Sequence, residues 1–161
     1  MENYIVKKLV SGTVGYVVPG ETRTRMWKNA DARQRVPFDE LEKCAFDADA
    51  RRLFERGYLF IEDKDCRIKL GYEDEDPTLN VDNKLILDSA QINTLLYIES
   101  FEAFKKKVEK LAEGSIELLI ETAITTSKQL TVEKSDFIRR KYHVDVDKIH
   151  RDKRDEGSKE G

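Results

Sequence analysis

The residues best equipped for chemistry lie near the N-terminus, where Arg23, Arg25, Lys28, Arg33 and Arg35 gather around the single tryptophan, Trp27. Cations around an aromatic suit phosphate contact with base stacking, and they equally suit an acidic protein surface. These six residues are the candidate partner-binding site. Other chemistries lack their parts. His143 and His150 stand seven apart, with Asp145 expected to break the helix between them. Neither cysteine is near them, and the H-E-x-x-H and C-x-x-C spacings are missing, so no metal is expected. Gly12, Gly15 and Gly20 in SGTVGYVVPG read as strand turns and do not form a phosphate cradle. No G-x-S-x-G occurs, and no serine or cysteine has neighbours that would activate it. Acids abound in EDEDP, but a run of acids in a loop is not a positioned acid–base pair. Neither catalysis nor a cofactor is expected.

Charge is unevenly spread around a net of −3. Residues 1–36 hold seven basic and three acidic side chains, residues 37–83 seven and fourteen, and residues 84–161 fifteen of each. A basic first third beside an acidic middle suits a charged partner or a second copy of the chain. On that reading Arg23, Arg25, Arg33 and Arg35 of one copy face the acids of Asp39 to Glu42, or Glu73 to Asp76, of its neighbour. With 39% apolar and 38% charged residues, the sequence describes a soluble protein whose length suits one domain or two small modules. No apolar run approaches the roughly 20 residues that span a bilayer. MENYIVKKLVSG lacks the pattern of a signal peptide. Cys44 and Cys66 fit reduced, partly buried thiols of a cytoplasmic protein, although a disulfide between them is also compatible with the sequence.

The elements that must position the cations are β-like. Tyr4 to Val10, Thr13 to Val18 and Thr22 to Trp27 are short runs rich in β-branched residues, separated by Ser11-Gly12 and Pro19-Gly20. The third run places Arg23 and Arg25 on one face, which is expected to meet water. Lys28 to Gln34 reads as a loop. Phe38 to Cys44 follows Pro37 as a short helix, and Asp47 to Arg56 as another, closed by Gly57. Tyr58 to Ile61 is a strand, with Cys66 to Tyr72 expected to pair back on it. The acids at 73–76 repel one another, so 73–83 is expected to be an exposed linker.

Beyond the linker the period becomes helical. Asp88 and Gln91 have capping-box spacing, and Ser100 can cap the next helix. Phe101, Phe104, Val108 and Leu111 share one face, and Ile116, Leu119, Ile120, Ala123 and Ile124 repeat the pattern after Gly114. Leu130 to Tyr142 suggests a fourth helix, and Asp145 caps a short fifth. Residues 151–161 have no apolar anchor and read as a flexible charged tail. VEKSDFIRRKYHVDVDKIHR can also be drawn as helix, turn, helix. Its second helix opens on Asp145 and Asp147, however, where DNA contact requires the opposite charge.

The expected fold is α+β: a β-rich module over 1–72, the linker, a helical module over 84–150 and the tail. The runs VSGTVGYVVPGETRTRMW, VPFDELEKC, RRLFERGYLFIED and LDSAQINTLLYIESFEAFKKKVEKLAEGSIELLIETAI together resemble small structural proteins of tailed bacteriophages. The resemblance is one of overall style across most of 1–126. It implies a non-enzymatic virion component that folds in the host cytoplasm and contacts other virion proteins or copies of itself in a capsid or tail. A phage-encoded nucleic-acid-binding or regulatory protein is the alternative.

Overall fold

Alternation along the first strand sets the architecture. The computed structural model describes residues 2–76, 78, 84–126 and 128–159, with the backbone alone over 153–159. Strand β1 (Asn3–Lys8) turns Val6 and Lys8 inward, and it lies between β4 (Arg33–Pro37) and β5 (Leu59–Ile61), antiparallel to both. Strands β2 (Val14–Val17) and β3 (Thr24–Trp27) form a separate antiparallel ribbon. Its inner residues Val14, Tyr16 and Trp27 enter the same core as Val6, Val36, Leu59 and Ile61. Trp27 is wholly buried, and its Nε1–H donates to the Val6 carbonyl at 3.0 Å, which ties the ribbon to the sheet. Helices α1 (Phe38–Ala45) and α2 (Ala48–Glu55) close the core with Leu41, Cys44, Ala50 and Phe54. Asp47 caps α2 by accepting from the Ala50 N–H.

Two expectations for this module are corrected. Lys28 to Gln34 is not all loop, because Arg33 and Gln34 begin β4 and pair with Lys7 and Val6. The polar sequence concealed a strand whose pairing is supplied by β1. Cys66 to Tyr72 does not pair with β5 either. Asp63 accepts from the Cys66 N–H at 2.8 Å and starts a short helix, α3 (Lys64–Lys69), which ends before Gly71 at φ +83°. The N-cap overrode the apolar alternation.

The second module is helical: α4 (Ser89–Leu96), α5 (Phe101–Glu109), α6 (Glu113–Thr125), α7 (Val132–Tyr142) and α8 (Val146–Lys159). The chain is therefore α+β, with strands leading into helices. The Asp88–Gln91 capping box is present on both sides, and Ser100 caps α5. Ile92, Leu96, Phe104, Val108, Leu119 and Ile138 form the core, and all six are inaccessible to solvent. Lys134 is buried beside them, where its ammonium caps the end of α4 by donating to the carbonyls of Leu96 (2.7 Å) and Ile98 (2.5 Å). Gly114 lies inside α6 rather than marking its start. Helix α8 runs on to Lys159, across most of the stretch expected to be a flexible tail. Asp145 caps it through the Lys148 N–H, and the opposite charges of Asp147/Arg151 and Lys148/Asp152 are spaced four apart. No helix among the described residues is long and apolar enough to cross a membrane. The linker expectation falls partly on 77 and 79–83, outside the described residues; Asp74, Glu75 and Asp76 are exposed.

The modules meet backbone to backbone. The Gly114 N–H donates to the Arg56 carbonyl at 2.6 Å, so the first turn of α6 abuts the end of α2. Opposite ends of two helix dipoles face each other there. A Cβ on Gly114 would lie 2.5 Å from the Gly57 carbonyl oxygen, and Gly57 itself sits at φ +79°. A backbone neighbour cannot swing aside as a side chain can. Gly114→Ala is therefore expected to destabilise the protein by about 1–3 kcal/mol, as overpacking does, read as a lower urea midpoint. A midpoint equal to the parent's would disprove the contact.

Candidate functional site

The structure sends the six candidate residues to four different environments. Trp27 is core. Arg23 and Arg25 converge on Glu40 of α1. Arg33 and Arg35 lie on the outer face of the sheet. Lys28 stands exposed in the turn between β3 and β4. They do not form one basic patch around an aromatic, and Trp27 has no face open to a base.

Glu40 is the centre of the largest polar cluster in the N-terminal module. It lies on the buried side of α1, in line with Cys44 one turn later, and only 4% of it is accessible. Arg25 reaches it with two hydrogen bonds, Nε to Oε2 at 2.5 Å and Nη2 to Oε1 at 2.9 Å. Tyr16 donates its hydroxyl to Oε2 at 2.7 Å, and Arg23 donates Nη2 to Oε1 at 3.0 Å. Register explains the convergence, because Tyr16 and Arg25 are cross-strand partners on the ribbon's inner face. Burial by itself would raise the Glu40 carboxyl. The hydrogen bonds from Arg25 and Tyr16, with the charges of Arg25 and Arg23, outweigh it and hold the group below its ordinary value. Tyr16 is pushed far the other way by burial and by donating to Glu40.

This chemistry is structural. A carboxylate holding four hydrogen bonds between two guanidinium groups has no lone pair aimed at a substrate and takes a proton less readily than an ordinary carboxylate. Both arginines were expected to face water or a neighbour's acids. Arg25 instead is mostly buried, and the charge match expected between copies is made within one chain. The missed residue was Glu40. Its signal was an acid four before Cys44 and next to Leu41, on the apolar side of FDELEKC.

Both cysteines are buried and free. Burial pushes the Cys44 thiol and the Cys66 thiol up to about 11, which disfavours the thiolate. The two histidines do not meet as ligands. His143 occupies a left-handed cap after α7, and the Nε2 of His150 hydrogen-bonds the carbonyls of Ala123 (2.9 Å) and Ile124 (3.1 Å) at the end of α6. His150 borders a cleft of about 640 Å³ between α6, α7 and α8, lined also by Gln129, Asp136, Arg139 and Asp147. There Asp136 pairs with Arg139 at 3.2 Å, and Asp147 accepts from the Ser135 hydroxyl. Among the described residues no three His, Cys, Asp or Glu side chains converge to hold a metal.

The surface holds the remaining candidates. Phe46, between α1 and α2, is 88% exposed, although its backbone is fixed by an N–H bond to the Lys43 carbonyl and by the Asp47 cap that follows. On the ribbon's outer face Val17 and Met26 are also exposed, with Met26 lying over Gly15, its cross-strand partner. In comparisons with known proteins, the chain matches no family model, no curated protein and no solved structure.

Proposed function

We propose that this chain is a non-enzymatic structural protein of a tailed-phage virion, making protein–protein contacts in capsid or tail assembly. The likeness of its N-terminal and helical runs to small phage structural proteins supports the reading. The observation that carries it is Phe46. Scattered exposed aliphatics are ordinary on a monomer. A phenylalanine held in water on a backbone fixed from both sides is different. It pays little further ordering entropy on docking, and aromatics anchor the centres of protein interfaces. Meanwhile the ionisable groups best placed for chemistry, Glu40, Arg25 and Tyr16, are bound to one another. The nucleic-acid alternative loses its aromatic, because Trp27 is enclosed.

The test is incorporation. The tagged chain, produced during infection, should band with purified particles at a fixed number of copies per particle. Phe46→Ser removes only exposed surface, so its stability should stay within about 0.5 kcal/mol of the parent, while its incorporation falls at least tenfold. Particles without the parent chain would overturn the virion reading. Normal incorporation of the variant would remove Phe46 as the anchor.

A further inference from the structure

Alternation sends one set of β1, β4 and β5 side chains into the core and the other set out. The outer set is Ile5 and Lys7 on β1, Arg33 and Arg35 on β4, and Phe60 on β5. Register makes them neighbours: Ile5 faces Arg35, and Lys7 lies between Arg33 and Phe60. Adjacent strands are about 4.8 Å apart, and alternate residues of one strand about 7 Å. Neither Ile5 nor Phe60 packs against either hydrophobic core. Two half-buried apolar side chains thus lie among three cations on a face backed by rigid strands.

Like charges directly opposite one another on a sheet cost stability. Glu62 neutralises Arg33 on this face, but Lys7 and Arg35 make no ion pair among the described residues. The face therefore favours an anion. An anionic run also begins at its rim. The Arg67 guanidinium lies 4.6 Å over the Phe60 ring and donates to the half-buried Glu73 at 2.9 Å, which leads into the exposed acids from Asp74 to Asp76. One flank of one module thus carries a basic apolar centre and an acidic edge. A surface with both halves of a charge match is self-complementary, which is what a two-fold interface between identical chains requires.

We propose that the outer face of the β4–β1–β5 sheet binds a second copy of this chain, Lys7 and Arg35 of each copy receiving the Glu73–Asp76 run of the other around Ile5 and Phe60. The inference deepens the assembly reading and rests on it for its biological meaning. Nucleic acid suits the face less well. Arg67 covers one side of the Phe60 ring, the only aromatic there, and the carboxylate of Glu62 repels phosphates beside Arg33.

Sedimentation velocity of the pure protein tests it. The parent should form dimers at low salt, with a dissociation constant at least tenfold weaker at about 0.5 M salt. Lys7→Glu/Arg35→Glu and, separately, Glu75→Lys/Asp76→Lys should each be monomeric with parental far-UV circular dichroism. Mixed, the two variants should regain a heterodimer, because both charge matches are then made, one as in the parent and one with its signs exchanged. The loop variant keeps the test intact if the strand variant fails to fold. A parent monomeric at all concentrations, variants that dimerise like the parent, or a mixture that stays monomeric would each overturn the proposal. Low-salt binding of a single-stranded oligonucleotide by the parent, lost in the strand variant without any dimer, would overturn it in favour of nucleic acid. A monomeric parent that still bands with particles sinks the dimer and spares the assembly reading; a dimer absent from particles does the reverse.

Discussion

Glu40→Ala is expected to cost about 3 kcal/mol, the lower end of the 3–5 kcal/mol seen when one partner of a buried ion pair is removed. The lower end applies because the stranded groups differ in exposure. Arg23 is 59% exposed and can return to water, whereas Arg25 is 16% exposed and keeps only the Gln34 side-chain oxygen, at 3.3 Å, as an acceptor. The same carboxylate sets an acid limb. Its folded value lies below the ordinary 4.5, so the folded state binds the proton less readily than the unfolded state. Its contribution is fully present above that ordinary value and is lost as pH falls through the folded one. Urea midpoints measured from about pH 6 down to about pH 3 should fall more steeply for the parent than for Glu40→Gln, which has no proton to gain there. Parallel pH profiles would show that the cluster contributes nothing, whatever its geometry.

Phe104→Ala should cost about 3–5 kcal/mol, the range for a fully buried aromatic. Phe104 has no solvent-accessible surface and packs against Phe101 (6.3 Å between ring centroids) and Phe137 (5.9 Å, edge-on). The buried Lys134 ammonium also lies 5.5 Å above its ring. Truncation removes that ring face and opens a cavity beside an ammonium that already pays for desolvation: burial lowers the Lys134 value. The measurement is a urea midpoint at unchanged slope. A variant melting with the parent would show that the aromatic trio is not the centre of the helical core.

The helical module was the more legible half of the chain. Its signals are local: a box of Asp88 and Gln91, a Ser100 cap, and apolar residues three and four apart that fall on the buried face of α5. The β-module was harder because its pairings are distant. Nothing within RQRVP marks a strand; what makes β4 a strand is β1, some thirty residues earlier in sequence, and only the folded chain brings them together. For the same reason the basic cluster was legible as charge but not as geometry. Period-two alternation places Arg23 and Arg25 on one face, yet which face turns inward depends on α1 offering Glu40 to it. Trp27 looked available because aromatics between arginines suit a binding surface, and its packing on Val6 is invisible in the sequence around it. Arg33 and Arg35 stayed outside because Val36, on the opposite face of the same strand, took the core position.

The central position of β1 has a consequence for the order of events during synthesis. Of the three strands in its sheet, β1 leaves the ribosome first and must wait longest for its partners. Its β4 edge is filled once Pro37 has emerged, but Val6 finds Ile61 only after the intervening helices have appeared. Until then one edge of β1 carries unpaired N–H and C=O groups, an open template for any passing strand. The helical module waits less, since α4 packs on α6, α5 on α7 and α6 on α8 across shorter stretches of chain than the one that separates Val6 from Ile61. Strand β1 is thus made before its sheet partners and locked only with the last of them, and the nascent chain is most open to wrong pairing in the interval between Pro37 and Leu59.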